Sequence, residues 1–216
     1  MMHVTRFCLS HSVLFQSKED NSLGRREKLR LIHRLDTPRT VVRPFEEADK
    51  GPFVEFMTNP EATRYLMFTD EQKTADGARG LLQFVVDSYA TDHPIHSYSI
   101  ALHDGTWIGS CGVSQVSDGG VWECYYSLLP VYWGHGYATE ATGALLKYCF
   151  GHSTITEVRA YMSPDNVRSP AVAARLGMAD LGILPYPVYA IHGRVFTLTR
   201  EVYEERRDGQ EAEAET

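Results

Sequence analysis

No apolar run in this 216-residue chain approaches the ~20 positions that a membrane-spanning helix needs, so no membrane span is expected. Cysteine is scarce as well. The four present (Cys8, Cys111, Cys124 and Cys149) form no C-x-x-C pair and no framework spacing. That argues against a disulfide-stapled secreted domain and makes the reducing cytoplasm the expected location. Near the N-terminus, residues 7–15 form only a broken apolar patch, interrupted by serines and His11, so a cleaved signal is not expected either. The nine histidines show no metal-ligand spacing, and no metal is expected. Internal repeats are absent, which excludes solenoid and propeller architectures.

Basic charge is in short supply. Lys and Arg number 21 against 28 Asp and Glu, a formal net charge of −7. The balance is uneven: residues 1–34 carry +4, residues 201–216 carry −5, and the stretch between them −6. An acidic core argues against nucleic acid as a partner and mildly favours a cationic substrate. What is present is ordinary for a soluble domain, with 43% hydrophobic and 23% charged residues, and one sizeable core is expected.

Residues 1–34 lack sustained periodicity and read as a flexible basic extension, with a short helix near residues 25–33. From Leu35 the pattern becomes regular, and residues 35–203 read as one domain. RTVVRP at 39–44 is a strand stopped by proline. A helix follows over about 46–57, ended by Asn59-Pro60, and a longer one over 71–89. Between them, residues 64–68 are unusually apolar for a connector. They suit either half-buried packing or a substrate wall built from Tyr65, Met67 and Phe68. Strands at 96–102, 107–116 and 121–129 are joined by the turn signals Asp104-Gly105 and Asp118-Gly119-Gly120. Later come a short strand at 157–162, a helix opened by Ser169-Pro170 and closed by Gly177, and two strands near 178–184 and 193–201. Those last strands flank a loop with Tyr186 and Tyr189. The acidic residues 204–216 read as a disordered tail.

The chain is organised around residues 125–150, YYSLLPVYWGHGYATEATGALLKYCF, a strand broken at Pro130, a loop, and a helix. The helix is predicted from Ala141, Ala144, Leu145, Tyr148 and Cys149, which share one face. Gly134 and Gly136 precede it, so their amides and the helix dipole form a candidate anion site, most often a phosphate site. A plain strand-to-helix turn is the other reading of so short a motif.

Four segments taken together carry a resemblance. They are VVRPF at 41–45, WECYY at 122–126, YWGHGYATEA at 132–141, and Asn166-Val167-Arg168-Ser169 with Leu176-Gly177-Met178. In this order they resemble the GNAT acyltransferases, most closely the branch of the ribosomal-protein-alanine N-acetyltransferases. In that branch Trp133 takes the place of the superfamily's usual first Gln or Arg. The resemblance implies an α/β fold with a mixed, mainly antiparallel sheet of about seven strands. Flanking helices and a splayed central parallel pair belong to it. It implies acetyl-CoA as co-substrate and a primary amine, on a small molecule or a protein N-terminus, as acceptor. A small-molecule N-acetyltransferase and a non-catalytic acyl-CoA-binding module are the alternatives, and a monomer or homodimer is expected.

The implied cofactor site comprises Leu128, Leu129, Trp133, Gly134, His135, Gly136, Tyr137, Ala138, Thr139, Asn166 and Ser169. Aminolysis of a thioester needs a proton acceptor for the amine, a donor to the oxyanion, and a proton or dipole for the departing thiolate. Glu123 is the candidate base, with a solvent-facing strand residue as the plain alternative. The amide of Leu128 or Leu129 is the candidate oxyanion donor. Ser169 either faces the sulfur, with Asn166 holding the arm, or only caps its helix. The usual tyrosine acid of the superfamily falls where Ala173 and Ala174 stand, which leaves the general acid unassigned. Tyr65, Met67, Phe68 and Tyr186 are the candidate acceptor wall. Glu140 reads as a helix-start charge, and His135 as a loop residue near phosphate.

Overall fold

The computed structural model describes residues 29–117, 120–186 and 191–214, with side chains to 209. Short strands β1 (Leu35–Asp36) and β2 (Thr40–Arg43) come first. A 3-10 turn over Glu47–Asp49 then leads into helix α1 (Lys50–Thr58). Asp49 is buried and accepts both terminal nitrogens of Arg43, at 2.6 and 3.0 Å, so this turn is tied to β2. Helix α2 (Ala75–Ser88) starts where Thr74 accepts the amide of Gly77, and it buries Ala78, Leu81, Leu82 and Val85 on one face. The turns of residues 71–74 ahead of it fall outside the helix, so α2 is shorter than the sequence pattern suggests.

Strands β3 (Ser97–Leu102), β4 (Trp107–Ser117) and β5 (Val121–Leu128) form an antiparallel meander. A 3-10 turn at Pro130–Tyr132 and the loop of the two glycines lead into α3 (Tyr137–His152), which returns to β6 (Glu157–Met162). Then come α4 (Ser169–Arg175), β7 (Ala179–Pro185), β8 (His192–Thr199) and α5 (Arg200–Ala214). The sheet has eight strands in the order β1-β2-β3-β4-β5-β6-β8-β7, with β5–β6 its one parallel pair. The expected mixed, mainly antiparallel sheet is therefore present. The strand beyond the expected seven is the two-residue β1, too short to show a period in sequence.

Alternation along the strands sorts the core onto two faces. Trp107 packs with Phe53, Phe56, Leu82 and Val85 under α1 and α2. Its neighbour Ile108 packs on the opposite face with Ala141, Leu145 and Cys149 of α3. The buried face of α3 keeps Ala141, Leu145 and Cys149 of the expected one but is turned toward Thr142, Leu146 and Phe150, while Ala144 and Tyr148 are only half-buried.

Both ends of the domain extend beyond the boundaries read from sequence. Leu29 and Ile32, assigned to the flexible extension, are buried in the core that α3 covers. The amide of Ile32 also donates to the buried hydroxyl of Tyr98 at 3.2 Å. Of the short helix expected near 25–33, residues 25–28 lie outside the described residues, and 29–33 are not helical. At the other end, the supposed disordered tail is helix α5 as far as Ala214. Arg200 donates to the carbonyls of Phe150, Ser153 and Ile155, and Tyr203 stacks on Phe150 at 4.8 Å. Those contacts anchor a helix that its own run of charges does not suggest. Ile32→Ala should therefore cost about 2–5 kcal/mol, measured by urea unfolding.

Candidate active site

Strands β5 and β6 pair only at Val121↔Glu157, Trp122↔Val158 and Glu123↔Arg159, then part. The parting begins at Cys124, well before Pro130, where the 3-10 turn starts. The slot that opens is lined by Tyr65, Cys124, Tyr126, Ala160, Tyr161 and Ser169, among others. Leu129 donates its amide to the Ile108 carbonyl on β4 at 3.0 Å, so of the two candidate oxyanion donors only Leu128 is available. Strand alternation then directs the amides of Leu128, Tyr126 and Cys124 toward the slot. An extended, amide-rich arm can pair with such an edge as an added strand.

At the end of the slot stands the glycine loop. Gly134 and Gly136 have φ of +78° and +83°, and Gly136 is the N-cap of α3. This is left-handed backbone that favours glycine. A side chain at Gly134 would enter open space. Tyr137, Ala138 and Thr139 form the first turn of α3, whose amides have no carbonyl one turn back to bond. Thr139 Oγ1 is buried there without a hydrogen-bond partner among the described residues. Trp133 is fixed by its indole N–H, which donates to the Leu128 carbonyl at 2.8 Å, and Arg168 lies 4.7 Å over its ring. Slot, loop and unpartnered hydroxyl together fit a ligand with an extended arm and a pyrophosphate.

Glu140 takes no part in the slot. Its carboxylate accepts from the Thr37 hydroxyl and from the Arg39 amide and guanidinium, each at 2.7 Å. Burial opposes its ionisation, but these bonds outweigh burial and hold the carboxyl below its ordinary range. His135 is exposed, and the group held at that position is its carbonyl, which accepts from Arg39 at 2.9 Å.

Glu123 is the last residue of β5 paired before the strands part, and it is 2% exposed. A solvent-facing strand residue is therefore ruled out. Its carboxylate accepts from the Tyr186 hydroxyl at 2.6 Å and the Ser114 hydroxyl at 3.1 Å. Burial pushes the carboxyl up to about 7, against the pull of those two bonds. Ser114 faces Glu123 across the β4–β5 register, a pairing that strand patterns alone do not specify.

The expected acceptor wall is divided. Tyr65 lines the slot. Met67 and Tyr186 are buried against one another with Tyr161 beside them, so Tyr186 holds Glu123 instead of presenting an open face. Phe68 is buried in the core beneath α1 and α2, away from the slot lining, because the apolar connector folds inward there. Tyr161 and Tyr126 were not singled out from sequence. Tyr161 packs edge-on against Tyr186 at 4.6 Å, and Tyr126 donates to the Ser169 carbonyl at 2.9 Å.

At Ser169 the cap and the hydroxyl separate. Asn166 Oδ1 accepts the amides of Arg168 and Ser169, both at 3.2 Å, and so serves the start of α4. Asn166 Nδ2 donates to Ser169 Oγ at 2.9 Å, and that hydroxyl makes no capping bond. Ser169→Ala should then cost well under the ~1 kcal/mol of a lost cap, and a fall in turnover of about 10²-fold is the result expected of a hydroxyl that serves the departing sulfur. Urea unfolding and steady-state rates measured side by side separate the two effects.

Comparisons with known proteins identify the family. Residues 39–179 match the family described as Acetyltransferase (GNAT) domain. An N-acetyltransferase of Bacillus licheniformis named p20, itself uncharacterized, is 27% identical over 152 residues, 69% of this chain and 84% of that one. Among solved structures, the ribosomal-protein-S5-alanine acetyltransferase of Vibrio fischeri superposes with a TM-score of 0.62 at 16% identity. It covers 79% of this chain and 98% of its own. Mycobacterium smegmatis RimJ in complex with CoA-disulfide superposes with a TM-score of 0.61 at 17% identity, over 79% and 91%. The chain belongs to the GNAT family and is an N-acetyltransferase that uses acetyl-CoA.

Proposed function

We propose that the protein acetylates the α-amino group of a protein or peptide N-terminus by direct attack in a ternary complex, with Glu123 as general base. The observation that carries this reading is the buried Glu123 carboxyl, held by Tyr186 and Ser114 where β5 and β6 part. A carboxyl pushed up to about 7 is matched to an α-ammonium group of pKa ~8. It is a poor match for the ~10.4 of an alkylamine, and base efficiency falls as the mismatch grows. The alanine acetyltransferase of Vibrio fischeri offers a precedent of fold for such an acceptor.

In this reading the Leu128 amide stabilises the oxyanion that develops as the amine attacks. Glu123 takes the ammonium proton, directly or through water. Ser169 Oγ, oriented by Asn166, faces the departing thiolate. Cytoplasmic action belongs to the same proposal: Cys111, Cys124 and Cys149 are free thiols, as a reducing compartment keeps them. Among the described residues no helix is long and apolar enough to cross a membrane.

The test is an acceptor panel with mass detection: peptides beginning Ala, Ser or Met, beside polyamines and free amino acids. Acetylation of the peptide α-amines is expected. Modification of polyamines or amino acids alone would move the acceptor to small molecules. Acetyl-CoA binding with no CoA release on any of these amines would place the acceptor outside the panel and overturn the N-terminal reading.

A further inference from the structure

We propose that Arg39, just before β2, is a positioning residue for acetyl-CoA, a latch that holds the glycine loop in its anion-binding orientation. The proposal rests on reading residues 134–139 as the phosphate site. Arg39 reaches across from the β1–β2 connection to the loop. Its Nη1 donates to the His135 carbonyl at 2.9 Å, while Nε and Nη2 lie 2.7 and 2.6 Å from Glu140 Oε2. The guanidinium also lies 4.8 Å over the ring of Tyr137, in the first turn of α3. Glu140 is tied on its other oxygen by the Thr37 hydroxyl and the Arg39 amide, and only 14% of its side chain is exposed. One planar fork thus bridges the loop and the helix behind it.

The consequence follows from peptide geometry. In a trans peptide the C=O and the next N–H point in opposite directions. Drawing the His135 carbonyl toward Arg39 therefore turns the Gly136 N–H to the other side of the loop. Gly134 and Gly136 have no side chains to resist a peptide flip. A flipped 135–136 peptide would present a carbonyl where a phosphate needs a donor. The hold depends on a fork that bonds two acceptors at once, and an ammonium group on a flexible stem has no such fork.

The experiment measures acetyl-CoA and acetyl-pantetheine affinities by calorimetry for the wild type, Arg39→Lys and Arg39→Gln, with KM and kcat alongside. Both variants should weaken acetyl-CoA binding on the order of ten- to a hundredfold. Acetyl-pantetheine, which lacks the phosphates, should bind as before, and kcat at saturation should stay within about twofold. Full recovery by Lys would show that charge alone acts and would overturn the latch. So would an equal loss with acetyl-pantetheine, or unchanged affinities in folded variants. Gly136→Val is the control for the underlying reading. If it abolishes acetyl-CoA binding while the Arg39 variants bind normally, the latch fails and the phosphate loop stands. If it leaves binding intact, the loop assignment fails and the latch fails with it.

Discussion

Replacing Glu123 by Gln should lower turnover roughly 10²–10⁴-fold, the usual loss for a general base, while acetyl-CoA affinity is kept. The substitution preserves shape and removes the carboxylate proposed to take the proton, leaving the amide oxygen to accept one of its two hydroxyl hydrogen bonds. Glu123 carries a carboxyl pushed up to about 7 by burial, so the wild-type rate at saturating substrates should rise with pH and level off above about 7. That acid limb should vanish from the residual activity of the variant. A rate that barely depends on pH, or a Gln variant with near-normal turnover, would leave Glu123 a structural residue.

The same shift has a stability consequence of opposite sense. The folded carboxyl titrates near 7, against an ordinary 4.5, so the folded state binds the proton more tightly. Its contribution is full below about 4.5 and lost as pH rises through about 7, by up to ~3 kcal/mol. Glu123→Gln should flatten that part of the stability profile. Urea unfolding at pH 5 and pH 8 reads it directly. On the proposed role of Glu123, the wild type is expected to give up stability over the pH range in which its base becomes active.

The second large effect is expected at Gly136. Gly136→Val should abolish measurable acetyl-CoA binding in a chain that still folds. With φ at +83° any branched side chain there is strained, and its Cβ would sit 3.4 Å from Arg39 Nη2. The loop would have to shift, taking its amides with it. Because the position is exposed and lies outside the core clusters, the damage should stay local. Calorimetry on a variant with native circular dichroism provides the check, and unchanged affinity would remove the loop from the phosphate site.

Local pattern was enough to order most elements and to find the glycine loop. Gly134 and Gly136 both have positive φ, and α3 starts directly behind them, as a G-x-G ahead of an apolar face implies. Asn166 and Ser169 were legible as a pair, but their division of labour was not. Which of two neighbouring side chains serves the helix amides depends on rotamers that the string Asn-Val-Arg-Ser does not encode. The chain ends misled for a related reason. Sequence shows the charge on residues 200–214, yet three carbonyls far away in the chain anchor Arg200 and hold that helix.

By itself, then, the sequence determined the succession of strands and helices, the loop at their centre, and the family they spell out. Period and turn chemistry act over a few residues and are written locally. Tertiary structure alone decided what surrounds Glu123. Its partner Ser114 is set by the β4–β5 register, and Tyr186 is brought over it from 63 residues away. Only that enclosure removes water from the carboxyl and raises its pKa into a useful range. Register and burial are long-range properties, fixed when distant strands pair and pack, and no window of sequence contains them.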